Sequence, residues 1–159
     1  MKPDLSHEVE LTPTFHDLDP MDIVWHGNYV KYLEIARCAL LGKFDYDYPQ
    51  MLASGFAWPV VDMRLKYVRP ATYRQPLRIR AEIVEWENRL KIDFLIRDVC
   101  TGEKLAQRLH DPGGGGHVHP RDALCVPVGA LGAPGGAALS RGLFAAAQTP
   151  SSVNQGLPA

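Results

Sequence analysis

The period of apolar and polar positions changes along this chain, and each period predicts one kind of element. An extended first strand is predicted over residues 7–17, where spaced apolar positions are separated by polar residues. Pro13 removes a backbone donor, so this strand is expected to lie at a sheet edge or to carry a bulge. Residues 17–20, Asp-Leu-Asp-Pro, are typical of a turn.

A helical period follows this turn. Its apolar positions lie three or four residues apart, as on one face of an amphipathic helix of about three and a half turns. These positions are Tyr29, Tyr32, Leu33, Ala36 and Leu40. Asn28 is predicted to cap the start of this helix, and Gly42 is predicted to follow its last turn. A shorter helix is expected to begin after Asp47, as its cap, and to end at Gly55.

After the second helix the period becomes two, which is the period of a strand with one buried face. Apolar and polar residues alternate through 58–69, 77–86 and 90–97, and another strand is expected to start at Glu103. The alternation changes phase at Val84, which predicts a bulge. A long helix followed by long antiparallel strands predicts an α+β fold in which the sheet wraps around the helix.

The alternating pattern stops after Leu109. Residues 110–159 are rich in Gly, Ala, Pro and Ser, a composition that buries too little apolar surface to offset chain entropy. The chain is therefore divided into a globular domain, residues 1–109, and a tail, residues 110–159, that is expected to be disordered or irregular. The histidines at the start of the tail lack the Cys or carboxylate spacing of a metal site, so no metal site is predicted.

A shift of the reading frame is one hypothesis for the origin of the tail. Codons exist for residues 109–124 that, read one nucleotide later, encode Y-T-T-Q-V-A-V-D-M-S-T-R-E-M-L. The shifted peptide has the alternation of a strand followed by a turn. Resequencing the coding DNA around Leu109 tests this hypothesis, and an intact frame with a Gly-rich tail shared by close relatives would contradict it.

Charge and composition narrow the class of protein. The chain has 17 basic and 18 acidic residues and a net charge of -1, so nothing favours binding to nucleic acid or to an anionic membrane. Its three cysteines lie far apart without a Cys-x-x-Cys pair, which favours free thiols in a reducing cytoplasm. Neither an apolar signal segment nor an apolar run of membrane-spanning length is present. A cytoplasmic protein is therefore expected.

Candidate chemistry is concentrated between Asp19 and Tyr29. Taken alone, Asp19 is a turn former, and His26 is more often a partly buried polar residue than a catalyst. A helix start beside them changes this interpretation, since its unpaired N–H groups can polarise a carbonyl. A carboxylate there can attack the carbonyl or activate a water, which favours acyl transfer. A serine hydrolase is disfavoured because the chain has no Gly-x-Ser-x-Gly motif.

Residues 18–37, LDPMDIVWHGNYVKYLEIAR, resemble the signature of the hot-dog-fold acyl-CoA thioesterases, in particular the 4-hydroxybenzoyl-CoA thioesterase and YbgC-like families. Residues 65–71, LKYVRPA, resemble a strand of the same families, and the resemblance extends over residues 7–108. It implies a sheet curled around the long helix and a homodimer or homotetramer with active sites between subunits. The implied reaction is hydrolysis of an acyl-CoA or acyl-carrier-protein thioester, without a cofactor.

The resemblance also assigns roles to individual residues. The aspartate that matches Asp19 is the nucleophile or general base in those families, and the histidine that matches His26 assists it. Asn28 and Tyr29 match residues at the helix start and, with Arg69, are the substrate-binding candidates. Arg69 is either a ligand of the coenzyme A phosphates or a solvated strand end.

Two alternatives stay open. The same fold also supports acyl-thioester hydratases and dehydratases, in which Asp19 and His26 would divide the acid and base roles. The unusual tail favours the other alternative, a damaged relative that binds acyl-CoA without catalysis. Asp22 is a smaller departure from the family pattern, because many relatives have Gly or Ala where this chain has a second carboxylate.

Overall fold

The structure is a computed structural model that describes residues 4–54, 58–86, 89–108 and 124–125. In chain order its elements are β1 (Ser6–Leu11), a 3-10 helix (Phe15–Asp17), α1 (Asn28–Gly42), α2 (Tyr48–Ser54), β2 (Leu65–Tyr67), β3 (Leu77–Glu85), β4 (Leu90–Asp98), β5 (Lys104–Arg108) and β6 (Leu124–Cys125).

These strands form one antiparallel sheet that packs against α1. The strand order is β1-β3-β4-β5-β2, and the two residues of β6 pair with the first two residues of β4. Every strand pair is antiparallel. The predicted α+β architecture is confirmed. Among the described strands β1 lies at one edge of the sheet, which was one of the two positions predicted for it. The register of β3 against β4 shifts between Ile83 and Glu85, which confirms the bulge predicted at Val84.

The core lies between one face of α1 and the inner face of the sheet. All five predicted apolar positions of α1 are buried. Alternate residues of β3 are buried as the period of two predicts: Leu77, Ile79, Ala81 and Ile83. Full burial of one Leu or Ile side chain contributes about 1.5–3 kcal/mol, so this contact fixes the helix on the sheet.

The first strand ends at Leu11, so its predicted extension to residue 17 is wrong. Local hydrogen bonds explain the difference. Asp17 Oδ2 accepts the N–H and the hydroxyl of Thr14, both at 2.7 Å, and the chain turns there into the 3-10 helix. Such side-chain bonds give the backbone an alternative to a sheet ladder. Pro13 therefore lies beyond the strand, where it is buried, and Phe15 is exposed.

The predicted ends of α1 are also wrong. Asn28 is its first residue, the cap position belongs to Gly27, and no side chain caps the helix start. Gly42 is the last residue of the helix rather than the residue after it, and the helix is 15 residues long, about four turns. The left-handed residue comes later, at Asp45 (φ 51°). The second helix is confirmed as α2, and Asp47 Oδ1 accepts the N–H of Tyr48 at 2.8 Å.

Strand β2 is shorter than residues 58–69, the range that the alternation predicts. It pairs only with β5, whose described part ends at Arg108, so a longer β2 would need a partner outside the described residues. Val61, predicted to face the core, is 53% exposed. Apart from β6, the tail predicted over residues 110–159 lies outside the described residues, as do its histidines and Gly55.

Candidate active site

The loop between the 3-10 helix and α1 is a narrow two-stranded turn. Leu18 bridges Val24, and the N–H of Asp19 donates to the carbonyl oxygen of Ile23 at 2.8 Å. At the tip, Asp19 Oδ1 accepts the N–H of Met21 at 2.8 Å. Asp19 is thus a turn former, and the same bond fixes the orientation of its carboxylate.

Asp22 occupies the strained position of this turn. Its φ of 60° lies in the left-handed region, which asparagine and aspartate adopt more readily than most residues but glycine adopts without strain. This geometry gives a physical reason for a small residue at this position. The Asp22 side chain is exposed.

A cavity of about 290 Å³ opens beside the turn. Its wall brings together Asp19, His26, Tyr29 and Arg69, which are four of the five predicted site residues. They come from the turn, the start of α1 and the chain just after β2, so the fold joins segments that are distant in sequence. Asn28, the fifth predicted residue, does not line this cavity.

Tyr67 of β2 also lines the cavity, and sequence reasoning did not identify it as a site residue. Its hydroxyl donates to the carbonyl oxygen of His26 at 3.0 Å. Its ring meets those of His26 and Tyr29 edge-on, with centroid distances of 6.4 and 5.1 Å. Burial raises the pKa of Tyr67, so the phenol is protonated at neutral pH and can donate this bond. The sequence signal that could have indicated a role for Tyr67 is its position in the LKYVRPA segment, which resembles the family.

Tyr29 ties α1 to the segment that carries Arg69. The Tyr29 side chain is buried, and its hydroxyl accepts the N–H of Ala71 at 2.9 Å. The carbonyl oxygen of Ala71 in turn accepts the N–H of Val24 at 2.8 Å. Burial raises the pKa of the Tyr29 phenol. Two walls of the cavity are therefore held to each other through Tyr29 and Ala71.

Arg69 stands at the exposed edge of the cavity. Its guanidinium lies 3.1 Å from the carboxylate of Glu103, and both side chains are largely exposed. An exposed ion pair of this kind contributes about 0.2–1 kcal/mol, which is little enough for an anionic ligand to displace Glu103.

The start of α1 is shaped by a close approach of Trp25 and Gly27. A Cβ added to Gly27 would lie 2.3 Å from the Trp25 ring, so a larger residue there would force that ring to move. The N–H of Asn28 donates to the carbonyl oxygen of Trp25 at 2.9 Å. His26 lies between these residues, which places the cavity next to a helix N-terminus and the positive end of its dipole.

Asn28 and Asp17 are buried polar residues behind the turn. Asn28 Nδ2 donates to the carbonyl oxygen of Asp17 at 2.9 Å. Asp17 was not predicted as a functional residue, and its burial could not be read from the sequence because it sits in an apparent turn.

Two negative findings concern the described part of the chain only. In residues 4–54, 58–86 and 89–108 no cluster of His, Cys, Asp and Glu is suited to hold a metal ion. Neither helix of this part has the length and apolarity needed to cross a membrane.

Comparisons with known proteins identify the family of this chain. The chain matches the family model of the thioesterase-like superfamily over residues 13–112 and belongs to that family. YneP of Bacillus subtilis, named as an acyl-CoA thioesterase, is 30% identical over 77 residues, which cover 48% of this chain and 56% of YneP. The acyl-CoA thioester hydrolase YbgC of Escherichia coli is 30% identical over 69 residues, which cover 43% of this chain and 52% of YbgC.

The comparison with solved structures concerns the fold. The 4-hydroxybenzoyl-CoA thioesterase from Pseudomonas sp. strain CBS-3 superposes with a TM-score of 0.58 at 23% identity, covering 64% of this chain and 78% of that one. The predicted hot-dog fold is therefore confirmed. The chain spans only about half the length of the curated relatives YneP and YbgC, at 56% and 52%.

Proposed function

We propose that this chain hydrolyses the thioester of an acyl-CoA or an acyl-carrier protein to a free acid and a thiol. One observation carries the proposal: a carboxylate of fixed orientation, Asp19, shares a cavity with His26 beside a helix N-terminus. These groups suit thioester hydrolysis, since the carboxylate can activate the attacking oxygen and the N–H groups of the helix N-terminus can stabilise the oxyanion.

In the general-base route, Asp19 takes a proton from a water as the water oxygen adds to the thioester carbonyl carbon. N–H groups at the start of α1 hold the oxyanion. The C–S bond then breaks, and the thiolate takes the proton back from Asp19. In the nucleophilic route, the Asp19 carboxylate itself adds and expels the thiolate, and water hydrolyses the resulting anhydride. Both routes consume one water and use the same residues.

His26 is proposed to orient the attacking water or the leaving group. Tyr67 supports this role by holding the His26 carbonyl oxygen and by packing its ring edge-on against the imidazole. Tyr29 is proposed to bind substrate as part of the buried wall of the cavity rather than through its hydroxyl, which is engaged with Ala71.

Arg69 is proposed to bind a phosphate of coenzyme A at the mouth of the cavity. A phosphate carries more charge than the Glu103 carboxylate and accepts two parallel hydrogen bonds from a guanidinium. Met21, Ile23 and Val24 also line the cavity, and they give it an apolar surface that suits the acyl group.

A homodimer or homotetramer is proposed as the working assembly. The support is apolar surface close to the site: Phe15, Met21 and Trp25 are 78%, 72% and 48% exposed. A second copy that covers these side chains would remove apolar area from water at about 25 cal/mol per Å². Sedimentation velocity of the purified chain tests this, and a monomer at micromolar concentration would contradict it.

The test of the reaction is thiol release from a panel of aromatic and aliphatic acyl-CoAs. Asp19→Asn is expected to lower kcat by about 100-fold or more, the usual contribution of a positioned acid or base. Asp22→Asn is the matched control, because it removes a carboxylate from the same turn and asparagine also adopts the left-handed conformation.

Two outcomes would contradict the proposal. One is the absence of thiol release from every substrate of the panel by the unmodified chain. The other is equal turnover by Asp19→Asn and the unmodified chain. Loss of enoyl absorbance from an enoyl-CoA without thiol release would instead favour a hydratase.

A further inference from the structure

Two buried polar residues are close in sequence to the cavity residues but do not form its wall. Asn28 is 4% exposed and Asp17 is 7% exposed, and neither lines the cavity. A buried polar group without a hydrogen bond costs about 1–3 kcal/mol, so the partners of these groups indicate what they do.

The carbonyl oxygen of Asp17 joins the two ends of the turn. It accepts the N–H of Trp25 at 2.8 Å and the side-chain amide of Asn28 at 2.9 Å. Asp17 stands two residues before Asp19, and Trp25 stands directly before His26. Through these two hydrogen bonds, one oxygen atom connects the segment that carries Asp19 with the segment that carries His26 and the helix start.

The side chain of Asp17 is also hydrogen-bonded, which restricts the orientation of the residue and of its carbonyl group. Its carboxylate accepts the N–H and the hydroxyl of Thr14, both at 2.7 Å. Burial works against the charged form, but the bonds from Thr14 hold the pKa of Asp17 below its ordinary value, so the group is ionised at neutral pH. A residue bonded through both its carboxylate and its carbonyl has little freedom to rotate.

We infer that Asn28 is a positioning residue that sets the distance between Asp19 and the start of α1 through the carbonyl of Asp17. The inference rests on the proposed hydrolysis and deepens it. It also replaces the substrate-binding role that the family resemblance implies for Asn28. Two donors bond the Asp17 carbonyl oxygen among the described residues, the backbone N–H of Trp25 and the side-chain amide of Asn28, and only the amide can be changed by substitution.

The chemistry of the amide makes this role testable. In Asn28→Asp the side chain keeps its size, but an acceptor replaces the donor that faces the Asp17 oxygen. The two oxygens repel, and the turn moves away from the helix start. A displacement of about 1 Å between reacting groups can lower a rate by about 100-fold.

The experiment compares the kinetics of Asn28→Asp with those of the unmodified chain on its best acyl-CoA. A positioning role predicts a fall in kcat of about 30-fold or more with KM within about threefold, because no substrate contact is lost. A ligand role predicts the reverse, a raised KM with kcat retained, and this result would overturn the inference. Should Asn28→Asp fail to fold, Asn28→Ser, which keeps a shorter donor, is measured instead.

A second readout is independent of catalysis. Hydrogen exchange of the Trp25 amide, which bonds the same oxygen, is expected to accelerate in Asn28→Asp by about tenfold or more, while the β3 amides keep their protection. Unchanged exchange would overturn the inference even if the proposed function holds. If the unmodified chain releases no thiol, the proposed function fails, and the exchange experiment still decides whether Asn28 holds the turn.

Asp98→Asn is the matched control. Asp98 is also a buried polar residue that bonds backbone N–H groups, those of Cys100 and Thr101, at 2.7 and 2.8 Å. It is the last residue of β4 and does not line the cavity, so its substitution is expected to lower Tm without changing kcat. An equal fall in kcat in both variants would show that general loosening explains the effect, and the inference would then be wrong.

Discussion

Different interactions hold the two paired strands β3 and β4, called the hairpin below, and the turn before α1. Each strand of the hairpin has nine residues, with an apolar side packed on α1 and a regular register from Leu77–Asp98 to Ile83–Ile92. The turn has no such repeat. Its shape depends on single hydrogen bonds from Asp17, Asp19 and Asn28.

This difference separates stability from activity. Burial in the hairpin is shared among many side chains, so one substitution there lowers the free energy of unfolding and leaves the cavity shape intact. In the turn, each hydrogen bond is made by one side chain, so no neighbouring side chain compensates for its loss. Each of these side chains lies within a few residues of Asp19 or His26. We therefore expect hairpin variants to lose stability with kcat retained, and turn variants to lose kcat in addition to a smaller loss of stability.

The largest expected effect on stability is in the hairpin. Ile79→Ala removes a fully buried side chain from β3 and is expected to lower the free energy of unfolding by about 2–5 kcal/mol. Urea denaturation measures this. Arg80→Ala, next to it on the exposed face, is the control and is expected to change stability by less than about 1 kcal/mol. Equal losses in both variants would contradict the assignment of the buried face.

Asp17→Asn is expected to have the next largest effect, of about 1–2 kcal/mol at neutral pH, because a charged acceptor of two short bonds becomes neutral. Its pH dependence has a defined sign. The folded pKa of Asp17 is lowered, so its contribution is present above the unfolded pKa of about 3.9 and is lost as pH falls below that value.

The two stability curves of the unmodified chain and Asp17→Asn should therefore converge below pH 4, approximately the unfolded pKa. Urea denaturation at intervals between about pH 3 and pH 7, a range that includes the unfolded pKa, measures the free energy of unfolding of both proteins. A gap that stays constant over the whole range would show that the charge of Asp17 does not stabilise the fold.

Tyr67→Phe sharpens the comparison inside the cavity. It removes the hydroxyl that donates to the His26 carbonyl but keeps the ring contacts, so kcat is expected to fall by about three- to tenfold, equivalent to a typical net hydrogen bond. Tyr73→Phe is the control, since Tyr73 is an exposed tyrosine that does not line the cavity. The proposed role of Tyr67 would be wrong if both variants turned over equally fast.

The smallest expected effect concerns the strain at Asp22. Asp22→Gly is expected to be more stable than Asp22→Ala by about 1 kcal/mol, because only glycine adopts a φ of 60° without strain. Thermal unfolding of the two variants measures the difference. A more stable alanine variant would mean that the turn adopts another conformation in solution.

The sequence predicted what periodicity and local motifs encode. The apolar side of α1 and the alternation of β3 follow directly from spacing, and the family motif predicts Asp19 and His26 as the catalytic residues. Four of the five predicted site residues line one cavity. Their roles remain predictions until turnover is measured.

What the sequence did not predict depends on partners that periodicity does not encode. Asn28 reads as a helix cap, but its partner is a carbonyl oxygen 11 residues earlier. Tyr67 reads as an ordinary apolar position of a strand, but its hydroxyl partner lies 41 residues away. The first strand reads as continuous to residue 17, but Thr14 and Asp17 end it through their own hydrogen bonds.

The central claim is that the Asp19 carboxylate activates thioester hydrolysis in this cavity. The most direct test is the ratio of kcat for Asp19→Asn to kcat for Asp22→Asn on the best acyl-CoA, with both variants shown to be folded. Our account predicts a ratio of about 0.01 or less. A ratio near one would show that Asp19 is only a turn former and would contradict the account.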